Sequence, residues 1–403
     1  MDTQFRALGG NPIAPELAIN LRQFIFGTAA VPVRCEWTTT ALNFAPPKEE
    51  HAYGLVSPRN GTRGLLSVLQ GFILKNLLFK RSLSRILGGG PPPADLLRPS
   101  EEQQIDALIA SMVEILTQIS EADKFIVALP GEESFIAHSI TYFQDAITEK
   151  LYLFQLDSKG ALETFLKRNI HFYTAEDCPG AMLFLYSAVL TRTIEKTRSD
   201  MDIKGPGTVS LVGNKEEGSL NIVTLLLTGR ATPYIHNGVI HAGDENSYAA
   251  PQYGTLNRCS IGLLLWENEK KQTTILQPGS RLKTPHLPIW ITSCIGYFGV
   301  VFNNNQDLLR NYHAESRFDL VYYSCSGNEV SMTIDNRGLK EFNAAMDNQK
   351  AESTSSSLSG PAPTEGKEEL MNTPLIHLIH TKWGDAYITF HCPTSVVRCL
   401  FSN

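Results

Sequence analysis

The sequence predicts an α+β fold, with a helical N-terminal half packed on a mostly antiparallel sheet. Three observations carry that expectation. The chain has 403 residues, 42% apolar, 19% charged and 9% aromatic, a globular composition long enough to bury a sizeable core. Its first half holds an almost uniformly apolar run, Leu65–Phe79, of helical length. Its C-terminal part is rich in short segments of β-branched and aromatic residues, the pattern of strands.

Taken in order, the first 20 residues read as a loosely held, flexible arm, the default for a chain end, and residues 21–403 as one domain. The loop Ser57-Pro58-Arg59-Asn60-Gly61 is rich in turn formers and leads into the apolar helix. The run Gly88-Gly89-Gly90-Pro91-Pro92-Pro93 ends that region as a flexible surface connection. Ser100 followed by Gln103 is a capping box. Behind it Ile105, Leu108, Ile109, Met112, Ile115, Leu116 and Ile119 recur at helical spacing. Phe125–Leu129 reads as a strand, residues 132–156 mix helix and strand signals, and Lys159–Asn169 and Ala181–Thr197 read as helices. Gly205–Gly218 is a loop. Strands are expected over Ile289–Phe302, Phe318–Cys325, Glu329–Ile334, Leu375–His380 and Ala386–Phe390. Residues 351–369, rich in Ser, Gly, Pro and Glu, form a disordered insertion between two of them.

Composition also narrows the function. Thirty-five Lys and Arg against 41 Asp and Glu give a net charge of −6, without the basic excess that a phosphate backbone demands, so no nucleic-acid partner is expected. The seven cysteines, at 35, 178, 259, 294, 325, 392 and 399, are scattered and form no CxxC pair. That argues against a zinc ribbon or a disulfide framework and for a reducing compartment. The first ten residues lack the apolar core of a signal peptide. The most apolar runs, Leu65–Phe79 and Leu287–Phe302, are interrupted by polar residues before the ~20 apolar positions of a membrane span. The expected protein is soluble and intracellular, in the cytoplasm with the nucleus also open to it, and without a membrane partner.

Few residues advertise chemistry by themselves. A loop running into a buried helix is the architecture in which a helix N-terminus lowers a thiol pKa, yet the stretch Tyr53–Gly71 contains no cysteine. On residue types alone it is a buried helix behind an ordinary loop. Cys178-Pro179-Gly180 precedes a second apolar helix, where Pro marks a helix start and Cys packs as a small apolar side chain. Cys294 sits in an expected core strand. His377 and His380, three apart in an expected strand, point to opposite faces, and neither they nor the His241-Ala242-Gly243-Asp244-Glu245 stretch offers a complete ligand set. No metal or other cofactor is expected, and Gly205-Pro206-Gly207 and Gly213 match no phosphate-binding or dinucleotide motif.

Taken together, several of these segments resemble the MINDY family of cysteine deubiquitinases, in particular its third and fourth members (formerly family with sequence similarity 188) and, among these, the inactive fourth-member-B type. The matching stretches are Phe26-Gly27-Thr28, Trp37, Phe44, Tyr53-Gly54-Leu55-Val56, Gly61, Gly64 and Leu66–Gly71. They continue in Leu183–Ser187, Leu225–Gly229, Leu282-Lys283-Thr284-Pro285, Pro288-Ile289-Trp290-Ile291 and Thr381-Lys382-Trp383, and together span about residues 20–390.

The resemblance implies a papain-like catalytic fold in which a Gln forms the oxyanion hole, a Cys attacks and a His is the base. It also exposes three departures. Where the family reads Gly-Leu-Val-Gln, Ser57 replaces the Gln. Where it reads Gly-Gly-Pro-Cys-Gly, this chain has Asn60-Gly61-Thr62-Arg63-Gly64, so Arg63 stands for the nucleophile. Tyr297 stands for the His. A guanidinium is no nucleophile, and a phenol with a reference pKa near ~10 is a poor base at neutral pH. The resemblance therefore implies an inactive deubiquitinase that retains ubiquitin or lysine-48-linked polyubiquitin as its partner. Arg59, Asn60, Gly61, Thr62, Arg63, Gly64 and Trp290 are then expected to line the groove for the ubiquitin tail. Two rivals remain at this point: an active hydrolase using Thr62 or a displaced Cys178 or Cys294, and an interaction scaffold without ubiquitin.

Overall fold

The computed structural model describes residues 9–57, 60–80, 96–202, 209–213, 219–241, 251–267, 277–337, 373–393, 396–397 and 400. Its main helices are α1 (Pro15–Phe26), α2 (Cys35–Thr39), α3 (Arg63–Lys75), α4 (Glu101–Ile119), α5 (Lys159–Asn169), α6 (Gly180–Arg192), α7 (Leu220–Thr228) and α8 (Pro374–His380). The first strands are β1 (Asn11–Pro12), β2 (Phe125–Pro130) and β3 (Leu151–Leu156), which pair antiparallel in the order β1-β3-β2. β4 (Val239–His241) and β5 (Pro251–Tyr253) form a separate ribbon.

The main sheet contains β6 (Gly262–Trp266), β7 (Ile289–Cys294), β8 (Tyr297–Phe302), β9 (Arg317–Tyr323), β10 (Glu329–Asp335) and β11 (Tyr387–Phe390). Its spatial order is β11-β10-β9-β8-β7-β6, antiparallel except for the β6–β7 pair. This is the expected α+β architecture. The sheet divides two cores. Ile289 and Ile291 face the helical side with Leu66, Leu69 and Phe72 of α3, while Trp290 faces the other side with Leu375, Leu378 and Ile379 of α8. Such burial on both faces explains why β7 reads as a continuous apolar run rather than an alternating one.

Helix α3 is buried at every residue from Gly64 to Leu74, as its all-round apolar sequence requires, and a π turn over Asn76–Lys80 continues it. The capping box at Ser100 has both of its bonds: Gln103 N–H donates to Ser100 Oγ, and Ser100 N–H donates to Gln103 Oε1. α5 has the expected bounds.

Several expectations are corrected. Leu375–His380 is not a strand but the helix α8. Pro374 suits a first helical turn, and Leu375, Leu378 and Ile379 recur on one buried face. A run this short fits either period, and packing against the sheet decides it. His377 and His380 consequently serve separate contacts. The His377 ring stacks on Trp266 at 4.9 Å, and His380 Nε2 lies 3.0 Å from the Ala386 carbonyl oxygen.

The single strand-like stretch Ile289–Phe302 is a hairpin, turned by Ile295 (φ 52°) and Gly296 (φ 90°). The helix over Ala181–Thr197 breaks at Thr193 (φ 74°) into α6 and Ile194–Asp200. The expected 20-residue arm is not loose throughout. Asn11 and Pro12 pair with β3, and α1 begins at Pro15 with Ala18 buried. Residues 1–8, the Gly88–Pro93 connection, Asp244, Glu245, most of Gly205–Gly218 and the 351–369 insertion lie outside the described residues. Among the described residues, no helix is long and apolar enough to cross a membrane.

Candidate functional site

The start of α3 is assembled from three directions. Residues 43–45 and 54–56 run side by side, with Val56 N–H on the Asn43 carbonyl and Ala45 N–H on the Gly54 carbonyl. Gln70, buried inside α3, clamps this pair to the helix. Its Oε1 accepts from Leu55 N–H at 2.7 Å and its Nε2 donates to the Tyr53 carbonyl at 3.0 Å. The sheet supplies the third side. Tyr323 Oη donates to the Leu55 carbonyl (3.0 Å), Ser57 N–H donates to the Cys325 carbonyl (2.7 Å), and Tyr53 Oη donates to Glu329. His51 Nδ1 lies 3.2 Å from the same carboxylate of Glu329. Burial and that carboxylate push the Tyr53 phenol far above its ordinary range, so it is held as a neutral donor.

This frame positions the sequence-predicted residues unequally. Ser57 and Thr62 are both fully buried, and their hydroxyl oxygens lie 3.4 Å apart. Asn60–Thr62 form a 3₁₀ turn, Thr62 ends it, and Arg63 is the first, partly exposed residue of α3, with Gly64 buried behind it. The Arg63 charge reaches the Cys325 thiol and draws its pKa down, but full burial dominates and leaves that thiol at about 12. Arg59 lies outside the described residues.

Tyr297 is at the same end of the sheet as the α3 start. Ser67 Oγ, one turn into α3, lies 3.9 Å from Cys325 Sγ, and Cys325 follows β9, which pairs with β8 through Tyr323 and Val300. In the hairpin Tyr297 opposes Cys294, so strand alternation turns it to the Cys294 face and Phe298 to the α3 face. Trp290, expected in the groove, is corrected: it is wholly buried in the second core, donating from Nε1 to the Lys283 carbonyl at 3.0 Å.

The sequence motifs that seemed scattered converge around Trp290. Lys283 Nζ donates to the Thr381 carbonyl (2.9 Å), the Trp290 and Trp383 rings meet edge to face at 5.4 Å, and Lys382 lies over both. They hold the second core together. Ser187, in another such stretch, accepts Ala128 N–H at 3.0 Å, tying α6 to β2.

Comparison with known proteins fits this picture. The family model "Deubiquitinating enzyme MINDY-3/4, conserved domain" matches residues 22–392. The chain belongs to the MINDY-3/4 family. It is 28% identical over 392 residues to a Xenopus tropicalis protein named "Probable ubiquitin carboxyl-terminal hydrolase MINDY-4", covering 96% of this chain and 47% of that one. The Homo sapiens protein of the same name is 29% identical, covering 80% and 41%. Human "Ubiquitin carboxyl-terminal hydrolase MINDY-3" is 24% identical, covering 73% and 67%. The chain spans about half the length of the MINDY-4 relatives it matches. No solved structure matches.

Two residues of this MINDY-3/4 site were not singled out from sequence. Gln70 carries a signal in retrospect, because a polar side chain inside an all-buried helix must be satisfied by something. Glu36 carries none. Its carboxylate lies against Gly61, so that a Cβ on Gly61 would fall onto Glu36 Oε1.

Proposed function

We propose that this MINDY-3/4 chain is a pseudo-deubiquitinase, which binds ubiquitin or lysine-48-linked polyubiquitin inside the cell without hydrolysing it. The observation that carries the reading is Arg63 at the first position of α3, where the family pattern has its cysteine. A permanently charged guanidinium cannot attack a carbonyl. Ser57 and Tyr297 at the other two positions point the same way.

The displaced-thiol alternative has little physical support. Burial pushes the Cys178 thiol up to about 11, although the Gly180 N–H at the start of α6 opposes the shift. At neutral pH roughly one such thiol in 10⁴ is ionised. Burial also raises Cys294 far above its ordinary range and Cys259 to about 11.

Incubation with a ubiquitin probe carrying a thiol-reactive C-terminus, alongside pull-down with defined lysine-48 chains, tests the proposal. Chain capture without covalent labelling is expected. Labelling that disappears in Cys178→Ser or Cys294→Ser, or chain cleavage that disappears in Thr62→Val, would establish an active enzyme, and absence of capture would leave a scaffold. The combined change Ser57→Gln, Thr62→Pro, Arg63→Cys, Tyr297→His is expected to fold, since the core around α3 is left unchanged.

A further inference from the structure

Glu36 Oε1 is an unusual atom in this structure. It is buried against the backbone of Gly61, in the turn that leads into α3, and among the described residues it has no hydrogen-bond partner. A buried carboxylate oxygen without a donor is costly, and a protein retains one where something else supplies the donor. Arg34 Nη1 is 3.8 Å from it, beyond hydrogen-bond reach, and that side chain is 48% exposed, so water screens the pair. The neighbouring N-cap, Thr62, gives the α3 amides no side-chain bond. The Glu36 side chain thus covers the turn into α3, where, on the reading proposed above, the end of a ubiquitin tail arrives.

The two chemical forms of that end differ in one respect that Glu36 can sense. A tail joined to a lysine ends in a neutral amide, which brings an N–H donor. A free tail ends in a carboxylate, which brings a second negative charge and no donor at neutral pH. We propose that Glu36 makes the site selective for conjugated over free ubiquitin, its buried oxygen accepting from the amide N–H of a tail joined in isopeptide linkage and repelling a terminal carboxylate. This rests on the ubiquitin-binding reading and adds to it the form of ubiquitin recognised. Glu36 acts here as a specificity-determining residue, and no bond is made or broken.

The test compares three ligands on the full chain by fluorescence anisotropy: ubiquitin isopeptide-linked to a short lysine peptide, free ubiquitin, and ubiquitin lacking its last two glycines. Wild type is expected to bind the linked form at least tenfold more tightly than the free form, equivalent to about 1.4 kcal/mol. Glu36→Gln, nearly identical in shape but uncharged, is expected to reduce that ratio to twofold or less, chiefly by binding free ubiquitin better. Glu36→Ala serves the same purpose if the Gln variant does not fold, with circular dichroism as the check on both.

A wild-type ratio near one, or a ratio unchanged in both variants, overturns the selectivity. If all three ligands bind equally in every variant, the tail does not reach Glu36, and the inference fails while binding of the ubiquitin body stands. If none binds, both fail together.

Discussion

Helices α3 and α6 are built alike up to their first residues. Each follows a loop, each is buried almost from end to end, and each starts beside a position that invites comparison with a cysteine-hydrolase nucleophile. They differ in what closes the start. At α6 the closure is backbone. A Cβ on Gly180 would meet the Tyr173 carbonyl oxygen, which itself accepts Leu42 N–H at 2.7 Å, while Ala181 N–H donates to the Thr40 carbonyl at 2.9 Å. At α3 the closure is the end of a flexible side chain, the Glu36 carboxylate over Gly61. A start sealed by hydrogen-bonded main chain is part of the core, and Cys178 beside it is a packed thiol. At α3 the cover is a side chain rather than hydrogen-bonded main chain.

The largest effect expected from breaking this contrast is at Gln70, which holds the loop on α3. Gln70→Ala leaves the buried Leu55 N–H and Tyr53 carbonyl without partners and opens a cavity. It should lower stability by about 3–5 kcal/mol, read from urea unfolding. A loss below about 1 kcal/mol would mean that the loop does not depend on the clamp.

The two glycines test the contrast directly. Gly180→Ala must displace hydrogen-bonded backbone and should cost about 2–3 kcal/mol. Gly61→Ala need only move a carboxylate and should cost under about 1 kcal/mol in the same titration. Equal losses would erase the distinction between the two helix starts.

The remaining effect is one of pH. In the folded chain burial holds the Cys178 proton up to about 11, against 9.0 for an unperturbed thiol. The folded pKa is raised, so this contribution to stability is complete below about pH 9 and is lost as pH climbs toward 11. Cys178→Ser should remove that part of the decline, and the difference between the two stability–pH curves isolates it. Identical curves would mean that burial does not hold the Cys178 proton.

How much of this was legible beforehand differs from element to element for physical reasons. α3 announced itself because burial on every side leaves only apolar residues to choose from, and the Ser100 cap because its bonds are local. α8 did not, since seven residues with a buried stripe satisfy two periods and only the sheet beneath them selects one. Trp290 is expected in the groove on the family resemblance alone. The pleat instead sends it to the opposite core.

The sequence by itself determined that this is an α+β member of the MINDY-3/4 family, because residue identity and spacing need no coordinates. Only the tertiary structure decided which side chains meet. Glu36 and Gly61 are 25 residues apart and Gln70 holds a loop 15 residues away, contacts made when α2, α3 and the sheet close on one another. Hydrophobic patterning drives the chain to collapse but is indifferent to the direction in which a polar group finally points. The direction of Glu36 is set by packing alone.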